Sequence, residues 1–201
     1  MAGKLIVLEG LDGAGLNTQA TLLEIYLKEK GYHTLLTSEP TNSVIGGIIR
    51  SSLNRDIKLS GRVLQLLFSA DRANHLETTI QPAINANKIV ICDRYIFSTL
   101  AYGYASGLNY KWLRQVNLSF RLPDLGILID VKPTVSLSRI SDLTTSFEMF
   151  NTAKQLSDVR KAFLMIANNF HIKVVDGNGN VETVKNKIIN IVDKYLKKNK
   201  I

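Results

Sequence analysis

The chain contains 201 residues, of which 45% are hydrophobic, and it carries a formal net charge of +8. One α/β domain of this length buries an ample core, no apolar stretch approaches the length needed to cross a bilayer, and the single cysteine excludes an internal disulfide framework. The charge suits an anionic partner without naming one. Because an apolar run begins almost at once, with no signal-peptide pattern, we expect a single cytoplasmic domain over residues 1–201 with no membrane attachment.

The first predicted elements enclose a glycine-rich segment. Residues 5–8 form an apolar run typical of a buried strand, and residues 18–30 carry apolar side chains at helical spacing. Between them, Gly10 and Gly15 have the spacing of a phosphate-binding loop. Strand, glycine loop and helix is the order in which such a loop occurs, since backbone N–H groups at the helix start bind anions. The alternative is a tight turn that binds nothing.

Two positions of this loop, residues 10–18, depart from the phosphate-binding pattern. Leu16 stands where the pattern has lysine, and Asn17 stands where it has the serine or threonine that holds magnesium. The frame that cradles phosphates is therefore kept, while the charge and the hydroxyl are absent. Asn17 still offers an amide oxygen to a metal, but it is expected to bind the metal more weakly than the usual serine or threonine arrangement does.

Further apolar runs alternate with helical patterns along the rest of the chain. Strands alternating with helices predict an α/β fold of the P-loop NTPase type, with three α/β/α layers and a five-stranded parallel sheet flanked by helices. The remaining strands are predicted at residues 34–37, 89–92, 125–129 and 172–175, and the helices at residues 43–53, 60–85 (closing near Pro82), 96–105, 110–120, 133–141, 152–169 and 181–197.

Polar residues follow three of these strands. In parallel sheets, ligands bind beyond the carboxyl ends of the strands. The glycine loop, the pair at residues 39–40 and the pair Asp93–Arg94 are therefore expected around one cleft. The lysines of the last helical pattern lie opposite its apolar residues and indicate a solvated face. A module that binds nucleic acid is the alternative, although no motif supports it and we do not expect a nucleic-acid partner.

Several segments, in order and over almost the whole chain, resemble the thymidylate kinase family. They are residues 8–15 (Leu-Glu-Gly-Leu-Asp-Gly-Ala-Gly) followed by Thr18-Gln19, Glu39-Pro40 with Gly46 and Arg50, residues 67–75 (Leu-Phe-Ser-Ala-Asp-Arg-Ala-Asn-His), Asp93-Arg94-Tyr95 with Ser98, Ala101 and Tyr102, residues 123–125 and 128–131 around the fourth strand, and Phe147-Glu148 at the end of a lid over about residues 140–150.

The resemblance implies a kinase that phosphorylates dTMP with ATP and Mg²⁺, as a homodimer. It implies that Phe68 stacks on the pyrimidine, that Arg72 reaches the base edge or the monophosphate, and that Arg50 and Arg94 grip the monophosphate. The implied sets are Asp12, Asp93 and Arg94 for catalysis; Gly10, Gly13, Gly15, Leu16, Asn17 and Thr18 for the donor phosphates; Glu39, Arg50, Phe68, Arg72, Arg94 and Tyr102 for the acceptor nucleotide; and Asn17 and Asp93 for the metal. The alternatives are that Phe68 belongs to the core and that Asp71–Arg72 is a surface pair.

The chain departs from the family pattern mainly on the donor side. Besides Leu16 and Asn17, the lid has Ser146 where arginine is expected, and Gly103 stands where the family usually has glutamine. Lys4, Arg139 and Arg160 are the candidates to replace the missing cation. Arg139 is the best of them because it precedes the lid, and the alternative is that it is an ordinary helix-surface arginine. Because phosphoryl transfer depends on neutralising charge, a nucleotide-binding homologue with little or no catalysis is the alternative function.

Overall fold

The computed structural model describes residues 3–117, 119–141 and 152–199. Its five strands are all parallel and hydrogen-bonded in the order β2-β3-β1-β4-β5. They are β1 (Lys4–Gly10), β2 (Thr34–Ser38), β3 (Ile89–Asp93), β4 (Leu125–Asp130) and β5 (Lys173–Asp176). The predicted fold class and all five predicted strands are confirmed. Apolar runs locate these strands well because a parallel sheet is covered on both faces.

Helices connect the strands and cover the sheet, and they agree with the predicted helical segments apart from one interruption. They are α1 (Leu16–Glu29), α2 (Val44–Leu53), α3 (Gly61–His75), α4 (Gln81–Asn85), α5 (Ile96–Ala105), α6 (Tyr110–Asn117), α7 (Pro133–Ser141), α8 (Ala153–Asn169) and α9 (Val181–Lys198).

The interruption falls in the segment predicted as one helix over residues 60–85. A π-helical turn, Leu76–Ile80, separates α3 from α4. Pro82 does not close the helix as predicted, because it falls in the first turn of α4. A proline is tolerated there, since the N–H groups of a first helical turn have no partner within the helix.

The strand order reverses at β1, which pairs with β3 on one side and β4 on the other. Loops that follow a strand at such a reversal point border a crevice in which ligands bind. In register, Leu8 lies beside Asp93 and Gly10 beside Ile129, so the ends of β1, β3 and β4 meet at the same edge. Within the described residues, no helix is both long and apolar enough to cross a membrane.

Candidate active site

The loop between β1 and α1 requires glycine at three positions. A Cβ atom on Gly10 would lie 2.8 Å from the carbonyl oxygen of Ile129, and one on Gly13 would lie 2.7 Å from that of Ser136. Gly13 and Gly15 have φ angles of +72° and +84°, where only glycine is free of strain. The spacing of the glycines in the sequence therefore has a steric cause in the fold.

Helix α1 begins at the two positions that depart from the phosphate-binding pattern. Its N-cap, Gly15, offers no side-chain cap to the first N–H groups, which are left for another partner. Leu16 is only 6% exposed and packs in the hydrophobic core, while Asn17 and Thr18 are exposed. The Leu16 side chain, which stands where the pattern has lysine, is therefore mostly buried. It has little contact with the solvent that a bound phosphate would displace.

A wide cavity lies over this loop, and we call it the donor cavity. Its lining comprises residues 11–19 together with Asp93, Arg94, Arg139, Gly177, Gly179, Asn180, Val181 and Val184. The Arg139 guanidinium donates to the carbonyl oxygens of Gly177 (3.1 Å) and Gly179 (3.2 Å) and approaches that of Gly13 at 3.5 Å. Its interpretation as an ordinary helix-surface arginine is therefore wrong, because it ties the loop to the segment before α9.

The other two candidate cations are engaged elsewhere. Arg160 makes two hydrogen bonds to the Asp130 carboxylate, at 2.6 and 2.8 Å. Lys4 lies 3.6 Å from the carboxylate of Asp124. Neither side chain lines the donor cavity. Of the three candidates, Arg139 is therefore the one that the fold brings to the donor side.

A second, narrower cavity lies beside the first, and we call it the acceptor cavity. Its lining comprises Asp12, Glu39, Pro40, Leu53, Gln65, Phe68, Arg72, Arg94, Tyr95, Ser98, Thr99 and Tyr102. Phe68 is half-buried on this wall rather than part of the fully buried core, so the aromatic face expected for base stacking borders an open space. Asp12 and Arg94 line both cavities.

Arg72 is the most heavily engaged residue of the acceptor cavity. Its side chain is 1% exposed and forms an ion pair with Glu39 at 2.8 Å. It also donates to Asn117 Oδ1 at 2.6 Å and to Thr99 Oγ1 at 2.9 Å, and it stacks over the Tyr95 ring at 5.1 Å. These contacts fix the guanidinium in one orientation at the cavity wall. A surface pair of Asp71 with Arg72 is therefore wrong.

Asp71 instead fastens the loop that follows β2. Its carboxylate accepts hydrogen bonds from the Thr41 N–H (2.7 Å), the Thr41 hydroxyl (2.6 Å) and the Ser43 hydroxyl (2.8 Å). Arg50 donates to the carbonyl oxygens of Pro40 and Thr41 in the same loop. Arg50 thus stabilises this loop without lining the acceptor cavity, whereas Glu39 and Pro40 line it.

Arg94 lies between the two cavities. It donates to the carbonyl oxygen of Gly10 at 2.9 Å, to Ser98 Oγ at 3.2 Å and to Asp12 Oδ1 at 2.5 Å. The Tyr102 ring lies under the guanidinium, 5.5 Å from it, and the Tyr102 hydroxyl accepts the Asp12 N–H at 3.2 Å. A fixed positive charge therefore stands where a phosphate from either cavity would arrive.

Glu9, which the sequence pattern did not predict as a site residue, is linked to Arg94 through the Ser98 hydroxyl. Its carboxylate is fully buried and accepts hydrogen bonds from the Tyr95 N–H (3.0 Å) and the Ser98 hydroxyl (2.5 Å). Burial raises the pKa of Glu9 to about 7, against the opposing effects of the Ser98 hydrogen bond and the Arg94 charge. The signal in the sequence was a carboxylate at the end of an otherwise apolar strand.

Asn17 and Asp93, expected to hold a metal, border the same polar cavity as Thr37, Ser38 and Thr41. Burial raises the pKa of Asp93, the Arg94 charge opposes this shift, and the charge of Asp12 adds to it. Magnesium is held in proteins by one or two carboxylates, with water and substrate phosphates completing its shell. One carboxylate beside one amide oxygen fits that requirement.

The structure therefore brings together Asp12, Asp93, Arg94, Phe68, Arg72, Glu39 and Tyr102 at the carboxyl edge of the sheet. Besides Glu9, two partners of Arg72, Thr99 and Asn117, were not predicted from the sequence. The lid residues Ser146, Phe147 and Glu148 lie outside the described residues.

Comparison with known proteins adds an independent finding. The family model described as thymidylate kinase matches residues 8–188. The chain is 40% identical to a probable thymidylate kinase of Pyrococcus horikoshii, over 98% of each chain, and 38% identical to one of Thermococcus onnurineus, over 96% of this chain and 98% of the other. It is also 34% identical to a thymidylate kinase of Caldicellulosiruptor saccharolyticus, over 98% of this chain and all of the other.

Proposed function

This chain belongs to the thymidylate kinase family, and on that basis we propose that it transfers the γ-phosphoryl group of ATP to dTMP. The observation that carries the proposal is the position of Arg94 and Asp12 at the junction of two cavities. A phosphoryl transfer needs an acceptor phosphate and a donor phosphate to meet in line at one charged point. The junction supplies such a point.

The acceptor cavity takes dTMP in this proposal. The pyrimidine lies against the Phe68 ring, and Arg72 and Thr99 meet its polar edge. The monophosphate then extends toward Arg94, whose guanidinium suits bidentate contact with phosphate oxygens. Arg72 is held in place before any ligand arrives, which lowers the entropy cost of binding.

The donor cavity takes ATP. The backbone N–H groups of the loop and of the first turn of α1 bind its phosphates. Mg²⁺, held by Asp93 and Asn17 together with those phosphates, would neutralise part of their charge. Within the chain, Arg94 meets the transferring group, and Asp12 keeps the guanidinium in orientation.

In the transfer itself, an oxygen of the dTMP monophosphate forms a bond to the γ-phosphorus, and the bond from that phosphorus to the bridging oxygen of ADP breaks. The products are dTDP and ADP. Because Leu16 supplies no charge to this step, the donor side depends on backbone dipoles, on the metal and on the guanidinium groups of Arg94 and Arg139.

We further propose that the protein is a homodimer and that α2 and α3 form its contact face. These two helices pack on each other and expose apolar side chains, among them Val44 at 82%, Val63 at 43% and Leu66 at 46% exposure. An apolar stripe of this kind on neighbouring helices suits a self-complementary contact. Sedimentation equilibrium tests the proposal, and a monomer at every concentration contradicts it.

A coupled assay of ADP release with dTMP as acceptor tests the kinase function. We expect turnover that requires both dTMP and Mg²⁺, that is absent with thymidine, and that is lost in Arg94→Met. Turnover equal to background at high enzyme concentration, together with dTMP binding in calorimetry, would overturn the kinase and support the nucleotide-binding homologue without catalysis.

A further inference from the structure

A buried glutamine, Gln65, lies in the wall of the acceptor cavity. Gln65 is 3% exposed, lines the acceptor cavity, and has a buried side-chain oxygen, Oε1, with no hydrogen-bond partner. Leaving a buried carbonyl-type oxygen without a partner costs free energy, so such an atom is expected to meet a donor when the cavity is filled.

Gln65 shares one face of α3 with the residues that form the cavity wall. Positions 65, 68 and 72 are three and four residues apart, which places Gln65, Phe68 and Arg72 in one stripe along the helix. All three line the acceptor cavity. The carboxamide therefore lies one helical turn from the aromatic face on which the base is proposed to stack.

The helix on the opposite side, α5, leaves room for this carboxamide. A Cβ atom on Gly103 would lie 3.4 Å from Cδ of Gln65 and 2.8 Å from a methyl carbon of Leu113. Gly103 is the position where the sequence departs from the family, which usually has glutamine there. In this chain, an amide from α3 is packed directly over that glycine.

Arg72 and Thr99, the other polar side chains at this part of the wall, each hold partners, although the Nε of Arg72 is a buried donor without one. Thr99 Oγ1 accepts a hydrogen bond from Arg72, and the Arg72 guanidinium is divided among Glu39, Asn117 and Thr99. Both therefore have fixed positions before a base arrives. Gln65 Oε1 differs because it is a buried acceptor that still requires a donor.

We propose that Gln65 is a specificity-determining residue, whose Oε1 accepts a hydrogen bond from the ring N–H of a 2,4-dioxopyrimidine base. Thymine and uracil carry this N–H, whereas the corresponding ring nitrogen of cytosine is an acceptor. A site built to receive an N–H discriminates against a base that lacks it, because its own acceptor is then left unpaired. The inference rests on the proposed binding of dTMP in this cavity.

Calorimetric titration with dTMP, dUMP and dCMP tests the inference without requiring catalysis. For the native chain we expect dTMP and dUMP to bind at least tenfold more tightly than dCMP. In Gln65→Met, which keeps the length of the side chain and removes the acceptor, we expect dTMP affinity to fall about tenfold while dCMP affinity stays within twofold. The matched control is Gln115→Met, an exposed glutamine of α6, which should change neither.

The outcomes separate this inference from the function on which it rests. If the native chain binds no dTMP, the proposed function fails, and the inference fails with it. If the native chain binds dTMP and dCMP equally, or if Gln65→Met loses affinity for both nucleotides alike, only the inference fails, and Gln65 is a packing residue. The native titration decides the first of these points even if the variant does not fold.

Discussion

The wall of the acceptor cavity and the loop under the donor cavity are built by different physical means. On the acceptor side, buried side chains from three helices and the loop after β2 hold one another in place, as Arg72 does with Glu39, Thr99 and Asn117. On the donor side, the contacts come from the main chain, and the glycines at 10, 13 and 15 are needed for its shape. The donor frame can therefore persist after Leu16 and Asn17 replace the residues that carry its charge.

This difference has a consequence for how each side responds to substitution. A buried side-chain network is sensitive to the loss of any member, since the remaining partners are left unpaired. A main-chain loop tolerates a new side chain as long as the backbone angles are kept. The two halves of the proposed active site can thus lose function independently, and each can be tested separately.

The largest effect is expected from breaking the acceptor network with Arg72→Met. The substitution leaves the buried carboxylate of Glu39 without its guanidinium partner and with only the His75 ring nitrogen, 3.1 Å away, which costs about 3–5 kcal/mol of the free energy of unfolding. Urea denaturation measures this loss. The control Arg62→Met removes an exposed arginine from the same helix, where it lies over Trp112, and should cost about 1 kcal/mol or less. Equal losses for the two variants would contradict the network.

The donor side should respond in the opposite direction, by gaining activity. In Leu16→Lys/Asn17→Thr, we expect kcat/KM for ATP to rise about 100-fold, because one preorganised charge at the transferring group is worth about that much. The dTMP affinity should stay unchanged. Steady-state kinetics beside the conservative control Leu16→Met provides the measurement.

Two other results of these kinetic measurements would change the contrast between the donor and acceptor sides. If the native chain and the double variant are equally fast, the loop is not the limiting feature of the donor side. If neither turns over, the lid sequence or another departure limits the chemistry.

A smaller effect on the free energy of unfolding is expected from the titration of Glu9, which is buried beneath the acceptor cavity. Its pKa is raised from 4.5 to about 7 in the folded protein, so the folded state holds the proton more tightly than the unfolded state. The contribution of Glu9 to stability is therefore fully present below pH 4.5 and decreases as the pH rises toward 7.

The free energy of unfolding of the native chain minus that of Glu9→Gln measures this contribution. It should fall between these two pH values by no more than about 1.4 kcal/mol per pH unit, the effect of one proton. The exposed control Glu29→Gln should show no such trend. A difference that rises with pH would mean that folding lowers the pKa of Glu9 instead of raising it.

The smallest effect is expected from Phe68→Leu, which keeps an apolar side chain but removes the aromatic face. Stacking is worth about 0.5–1.5 kcal/mol beyond simple burial, so dTMP should bind up to about tenfold more weakly. Calorimetry with dTMP measures the change, and titration with ATP serves as the control on the donor side. An unchanged dTMP affinity would remove Phe68 from the acceptor site.

Much of the architecture could be predicted from local sequence pattern, because buried parallel strands are apolar runs and the glycine loop has fixed spacing. The π-helical turn Leu76–Ile80 could not be predicted, since apolar spacing does not distinguish it from an α-helix. The hydrogen bonds of Arg72 could not be predicted from the sequence either, because its partners Thr99 and Asn117 lie 27 and 45 residues away along the chain. Pairing Asp71 with its neighbour Arg72 was a reasonable hypothesis that fails because adjacent helical residues do not face each other.

Arg94 adopts a φ angle of +66°, in the left-handed region that an arginine enters at a cost of about 1–2 kcal/mol. The backbone there would suit glycine better, and a chain optimised for stability alone would not keep an arginine at this position. We propose that the requirement for a guanidinium between the two cavities outweighs this folding penalty. Arg94 is therefore a point at which fitness and thermostability oppose each other, and stabilising redesign of this protein should leave it untouched.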